Sequence, residues 1–147
     1  MGEIVHELTV EELVLRELRA LRDGVAGVRG SIVATSEGLL IAHDLSDTEP
    51  TRLAALVATT IGLARQAMLA TDRGGFHEAV AKGSAGYLAV YAAGRAAVVA
   101  VIGGSELNVA MLHYEMRDTI GRITAYSGEF ASWASPEMVR RARAPDA

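Results

Sequence analysis

The chain has 147 residues, half of them hydrophobic, and a formal charge of -4, which is one domain's worth of sequence with a core able to form without staples. The absence of cysteine excludes disulfides, thiolate metal sites and a thiol nucleophile, and 14 Lys and Arg against 18 Asp and Glu give no electrostatic case for nucleic acid. The acidic start MGEIVHELTVEEL is unlike a signal peptide, and no uninterrupted apolar run reaches the roughly 18 residues of a membrane span, so a cytoplasmic domain without membrane insertion is expected.

The first element is a helix. Thr9 and Glu12 have capping-box spacing, with Leu8 and Leu13 placed around them as a staple. Leu13, Val14, Leu18 and Leu21 then recur with helical period, and Asp23-Gly24 supplies a stop. A hairpin follows in the run SIVATSEGLLIAHDL. Ile32 and Val33, then Leu39, Leu40 and Ile41, are apolar at consecutive positions. Strands without alternation are covered on both faces, and the short Glu37-Gly38 connection makes the pair antiparallel.

Asp47 or Thr48 is expected to cap a second helix, with Pro50 in its first turn and residues 51–71 in its body. Winding at 3.6 residues per turn places Leu53, Val57, Thr60, Ile61, Ala64 and Met68 toward the core. It places Ala54, Ala55, Ala58, Thr59, Gly62, Arg65, Gln66 and Leu69 away from it. That outer face carries almost no charge, whereas a helix facing solvent has a polar back. The small residues Ala54, Ala58 and Gly62 recur every four positions and suit a close helix–helix contact, so the helix reads as covered on both sides, by its own sheet and by a partner.

Residues 76–82, 87–93 and 97–102 form three further strands of a meander, separated by Gly83-Ser84-Ala85-Gly86 and Gly94-Arg95. The first holds Phe76, His77, Glu78 and Lys82, the most polar set, and is expected at a sheet edge, where strands invite pairing with another chain. The other two are expected to be central. Ser105 is expected to cap a third helix over residues 106–126, with Leu112, Met116, Ile120 and Ile123 as its core stripe. Residues 1–127 therefore read as one domain, an α/β three-layer α-β-α sandwich around a five-stranded, mainly antiparallel sheet in the order αββαβββα. Residues 128–147 read as a polar, partly mobile tail, with Phe130 and Trp133 as anchors and a basic Arg140-Arg141-x-Arg143 ending.

Motifs for chemistry are weak, and no catalytic, cofactor-binding or metal-ligating residue is assigned. Gly24-x-x-Gly27-x-x-Gly30 follows a helix and precedes a strand, the reverse of a dinucleotide fingerprint. Lys82-Gly83-Ser84 ends like a phosphate-binding loop but lacks the upstream glycine, position 77 being His. His6, His43, His77 and His113 share no ligand spacing, and there is no nucleophile elbow. Gly103-Gly104-Ser105 is read as an anion site or, more simply, a helix cap. Arg65, alone on a neutral helix face, is read either as an arginine finger acting in trans or as a rim hydrogen-bonding group.

The run VRGSIVATSEGLLIAHDL, the long Ala-rich second helix, KGSAGYLAVYAAGRAAVVAVI and LNVAMLHYEM together resemble the Roadblock/dynein light chain family over roughly residues 9–127. Val109 departs from the glycine frequent in bacterial relatives. The resemblance implies a homodimer built from paired second helices and paired third strands, non-catalytic itself. It implies a bacterial signalling role beside a Ras-like small GTPase, as activator or scaffold, in some relatives near a sensor histidine kinase. Ala54, Ala55, Ala58, Thr59, Gly62, Arg65, Gln66, Leu69, Phe76, His77 and Glu78 are the expected interface. A different class of function is a small-molecule sensor of profilin- or PAS-like architecture, which needs convergent polar groups in a cavity; beyond Tyr87 and Tyr91 the strands offer few.

Overall fold

The computed structural model describes residues 8–126 and residue 128; the expected C-terminal tail from residue 129 on, with Phe130, Trp133 and its arginines, lies outside them, as does His6. The elements run α1 (Val10–Gly24), β1 (Val28–Thr35), β2 (Leu40–Asp44), α2 (Pro50–Ala70), β3 (Glu78–Gly83), β4 (Gly86–Ala93), β5 (Ala97–Gly104) and α3 (Val109–Tyr126). This is the αββαβββα order expected. The five strands form one antiparallel sheet in the order β2-β1-β5-β4-β3. The two most apolar strands of the meander, β4 and β5, are interior, and the polar β3 is an edge.

Two cores lie on opposite sides of the sheet. On one, Val14, Leu18 and Leu21 of α1 and Leu112, Met116 and Ile123 of α3 meet Val33, Ala89, Tyr91, Val99 and Val101. On the other, Ala54, Val57 and Ile61 of α2 meet Ile32, Ala34, Val90, Val98 and Ala100. Consecutive residues of β1 and β5 thus face different cores, which is why neither strand alternates in hydropathy.

Helix starts differ from expectation at two of three places. Thr9 caps α1 as read, its hydroxyl accepting from the Glu12 N–H at 3.2 Å. The cap of α2 is Glu49 rather than Asp47 or Thr48: its carboxylate accepts from the N–H groups of Thr51 (3.1 Å) and Arg52 (2.8 Å), one residue before Pro50. These helix-end donors hold the Glu49 carboxyl below its ordinary value of 4.5. Helix α3 begins about a turn after Ser105. Leu107 is buried and packs against the backbone at Gly27 and Gly103, Glu106 pairs with Arg29 at 2.6 Å, and Leu107 N–H closes a turn onto Gly104. With residues 105–107 so engaged, Asn108 caps the helix, its side-chain oxygen accepting from Met111 N–H at 3.1 Å.

Gly38 fixes how α2 sits on the sheet. Its φ is +94°, a conformation open to glycine at little steric cost. A Cβ there would lie 3.3 Å from Ala55 Cα and 3.5 Å from Ala58 Cβ, so the β1–β2 turn rests directly on the helix.

Candidate protein interface

The outer surface of α2 and the adjoining edge strand β3 form the most unusual surface among the described residues. Helix α2 presents Ala54, Val57 and Ile61 to the sheet. On the other side Leu56, Leu63 and Leu69 are 53%, 63% and 69% exposed, and their neighbours Ala55, Thr59, Thr60, Gln66, Ala67 and Ala70 are exposed too. Exposed threonines do not make this surface strongly polar, because Thr59 and Thr60 hydroxyls donate back to the carbonyls of Ala55 and Leu56 at 2.9 and 2.8 Å. The helix has the length and mean hydropathy (21 residues, 1.5) of a membrane span, yet only 17% of that window is buried. Arg52 and Arg65 interrupt its apolar run. Its inner stripe is engaged with the sheet, so what stands open is one long apolar flank.

The helix is rotated by part of a turn from the orientation expected from sequence. Ala54, placed outward, is fully buried against the sheet, and Ala58, Gly62 and Arg65 are half-buried. Thr60, placed inward, is exposed. The cause is the Gly38 turn: Ala54 and Ala58 are small because the chain's own hairpin comes close to them. Leu56 and Leu63, in neither set, are the residues that sequence reasoning misses. Their spacing of seven, two helical turns, is the available signal. Ala55, Thr59, Gln66 and Leu69 do lie on the open flank.

At the C-terminal end of α2 the chain turns into β3. Arg65, Leu69 and Phe76 border a shallow depression of about 490 Å³ with Gly94 and Arg95. The Arg65 guanidinium donates to the Gly94 carbonyl at 3.5 Å, so it lies along the β4–β5 turn rather than projecting. Phe76 packs against the core between α2 and the sheet. Phe76, His77 and Glu78 also line, with Tyr91, His113, Met116 and Arg117, a cleft of about 590 Å³. There Glu78 Oε2 and the Tyr91 hydroxyl both reach His113 Nδ1, at 2.7 and 2.8 Å. An ionised carboxylate only accepts, so Nδ1 carries a hydrogen toward Glu78. Burial, reinforced by the Glu78 charge, pushes the Tyr91 phenol well above its ordinary value of 10. The three side chains tie the edge strand to α3. Among the described residues no cluster of three His, Asp or Glu is arranged for a metal ion.

Strand β3 has no neighbour beyond it in the sheet. The bond from Ala92 N–H to the His77 carbonyl (3.0 Å) fixes which groups face inward. Bonding alternates along an antiparallel pair, so in the observed register, Glu78 opposite Tyr91 through Lys82 opposite Tyr87, the odd residues of β3 bond to β4. Glu78, Val80 and Lys82 direct their N–H and C=O groups to the open edge.

Comparison with known proteins bears on this fold. The model of the Roadblock/LC7 domain matches residues 14–103. A Roadblock/LC7 domain from Streptomyces avermitilis superposes with a TM-score of 0.71 at 25% identity, covering 76% of this chain and 94% of that one. The gliding protein MglB from Thermus thermophilus gives 0.73 at 17% identity, covering 88% and 98%. Myxococcus xanthus MglB gives 0.69 at 16%, covering 85% and 92%. No curated protein matches by sequence. With the family model matching residues 14–103, more than half of the chain, the chain belongs to the Roadblock/LC7 family.

Proposed function

We propose that this chain is a cytoplasmic, homodimeric and non-catalytic regulator or scaffold of a Ras-like small GTPase, and that the dimer joins the outer flank of α2 and the free edge of β3 to the same surfaces of a second copy. The observation that carries the dimer is the apolar flank itself. Leu56 and Leu63 lie on one line of the helix, and with Leu69 farther round they make exposed apolar surface of the kind that marks protein–protein contact; burying one such side chain contributes about 1.5–3 kcal/mol. The GTPase partner, with a sensor histidine kinase as a further member of the assembly, rests on family membership. Within this reading Ala55, Thr59, Gln66 and Leu69, together with Leu56 and Leu63, form the helix part of the interface; Glu78 lies on the strand part, with Phe76 and His77 beside it.

The test has two stages. Light scattering on the purified protein is expected to give twice the chain mass at micromolar concentration, and Leu63→Glu is expected to halve that mass while the circular dichroism spectrum stays helical and sheet-like. A monomeric parent protein would end the dimer reading. The parent dimer should then retain a Ras-like GTPase loaded with a GTP analogue or with GDP, and single-turnover hydrolysis distinguishes activator from scaffold. Retention of neither form removes the regulatory reading.

A sensor role has one observation in its favour, the cleft between β3, β4 and α3 with Tyr91, His113 and Glu78 inside it. A monomer whose melting temperature rises with a small polar ligand, and which loses that rise in Tyr91→Phe, would favour it.

A further inference from the structure

We propose that the free edge of β3 pairs with β3 of a second copy in one register, with Val80 on the two-fold axis, and that Glu78 and Lys82 fix that register and restrict the edge to its own kind. The proposal rests on the dimer reading above and adds to it which residues meet and which of them choose the partner.

The backbone limits the options. Only Glu78, Val80 and Lys82 offer outward N–H and C=O groups, as the His77–Ala92 bond requires. Two antiparallel copies related by a two-fold axis must therefore set these even residues opposite one another. Three frames overlap well, and side chains separate them. Pairing Glu78 with Val80 leaves the carboxylate facing an isopropyl group. Pairing Val80 with Lys82 buries the ammonium against apolar surface and sends Glu78 toward Ser84. With Val80 opposite Val80, Glu78 of each copy faces Lys82 of the other, and Ala79 faces Ala81 on the α2 side, where small residues leave room for helices above the seam. Opposite charges directly across a pair of strands stabilise the pairing, and like charges weaken it.

Each chain on its own leaves these groups ready for this use. Lys82 is the single lysine of the sequence. Its ammonium lies 5.9 Å from the centre of the Tyr87 ring and, among the described residues, has no carboxylate within ion-pair distance. Its own Glu78 is four residues away along a strand, about 13 Å at strand rise, and cannot serve. Glu78 meets His113 through Oε2, and a carboxylate has a second oxygen for a second donor. A lone lysine on an exposed edge repels indiscriminate strand addition. Here a complementary carboxylate on the same edge turns that repulsion into selection for a second copy of this chain.

The experiment is a charge exchange in the full-length protein, followed by sedimentation equilibrium and native mass spectrometry. Glu78→Lys sets two lysine–lysine pairs across the seam, and Lys82→Glu sets two glutamate–glutamate pairs. Each variant alone is expected to weaken the dimer on the order of tenfold. Mixed together, they restore both attractive pairs, and the mass spectrum should show the heterodimer in large excess over the statistical half. The rescue distinguishes the interface from any loss of the Glu78–His113 contact inside one chain. Because the protein has no cysteine, Val80→Cys should also cross-link to itself under oxidation more readily than Lys82→Cys. A parent dimer with unperturbed single variants, or a mixture no tighter than its components, overturns the register while leaving the dimer intact. A monomeric parent removes both.

Discussion

Helices α1 and α2 cover opposite faces of one sheet, and they are built differently. α1 has a buried stripe of Val14, Leu18 and Leu21, with acidic residues in its first turn and a basic residue in its last. Its flank meets α3 through Glu17, whose carboxylate accepts from Arg122 at 2.6 Å. α2 has no acidic residue in its first turn, no basic one in its last, and exposed leucines where α1 has ions. One helix needs only the rest of its own chain and water. The other meets the sheet on one side and repeats apolar chemistry on the side facing out, which is the ground of the proposed dimer.

That contrast is broken most directly by truncating one leucine on each helix. Leu18 is fully buried, so Leu18→Ala is expected to cost about 2–5 kcal/mol of folding stability, measured by chemical denaturation of a dissociated background such as Leu56→Glu. Leu63 is 63% exposed, so Leu63→Ala should change the stability of the dissociated chain by less than about 0.5 kcal/mol. It should instead weaken self-association by about 1–2 kcal/mol. If Leu63→Ala destabilised the monomer as Leu18→Ala does, α2 would be an ordinary core helix.

The charged flank gives a smaller effect. Arg122 is half exposed and its pair with Glu17 is partly solvated, so Arg122→Ala should cost about 0.2–1 kcal/mol, shrinking as salt is added. Self-association should not change. A salt-dependent loss of dimer in this variant would mean that the α1–α3 side contributes to the interface as well.

The same contrast explains what is legible from residues alone. Element order, sheet edges and layer assignment follow from local signals: Thr9 three residues before Glu12, glycine at Gly38, polar residues gathered in β3. The side of α2 that faces out does not follow. Rotation of an Ala-rich helix is decided by what lies beneath it, and here that is the backbone of the Gly38 turn, 3.3 Å from Ala55 Cα for an added Cβ. An amphipathic helix such as α1 declares its rotation in its own charges, and α2 has too few to do so. The start of α3 escapes sequence reasoning for a related reason, since Leu107 is drawn into the core by Gly27 and Gly103, Gly27 being distant in sequence. The Glu78–His113–Tyr91 group joins three separate elements, and no spacing along the chain announces it.

The smallest expected effect lies at the start of α2, where it tests whether the helix is held by its cap or only by what covers it. Glu49 accepts from the N–H groups of Arg52 and Thr51, which lower its carboxyl below 4.5. A carboxyl lowered on folding stabilises the folded state above its unfolded value, and that contribution is lost as pH falls through the lower, folded value. The melting temperature of Glu49→Gln should therefore lie slightly below that of the parent protein at pH 7, and the difference should close as the pH drops below about 4.5, measured in a Leu63→Glu background to remove association. Because the carboxylate is fully exposed, solvent screens it and the shift will be small. A difference that persists undiminished at pH 2–3 would assign the effect to side-chain geometry rather than charge, and would leave the packing of α2 on the sheet as the main source of its order.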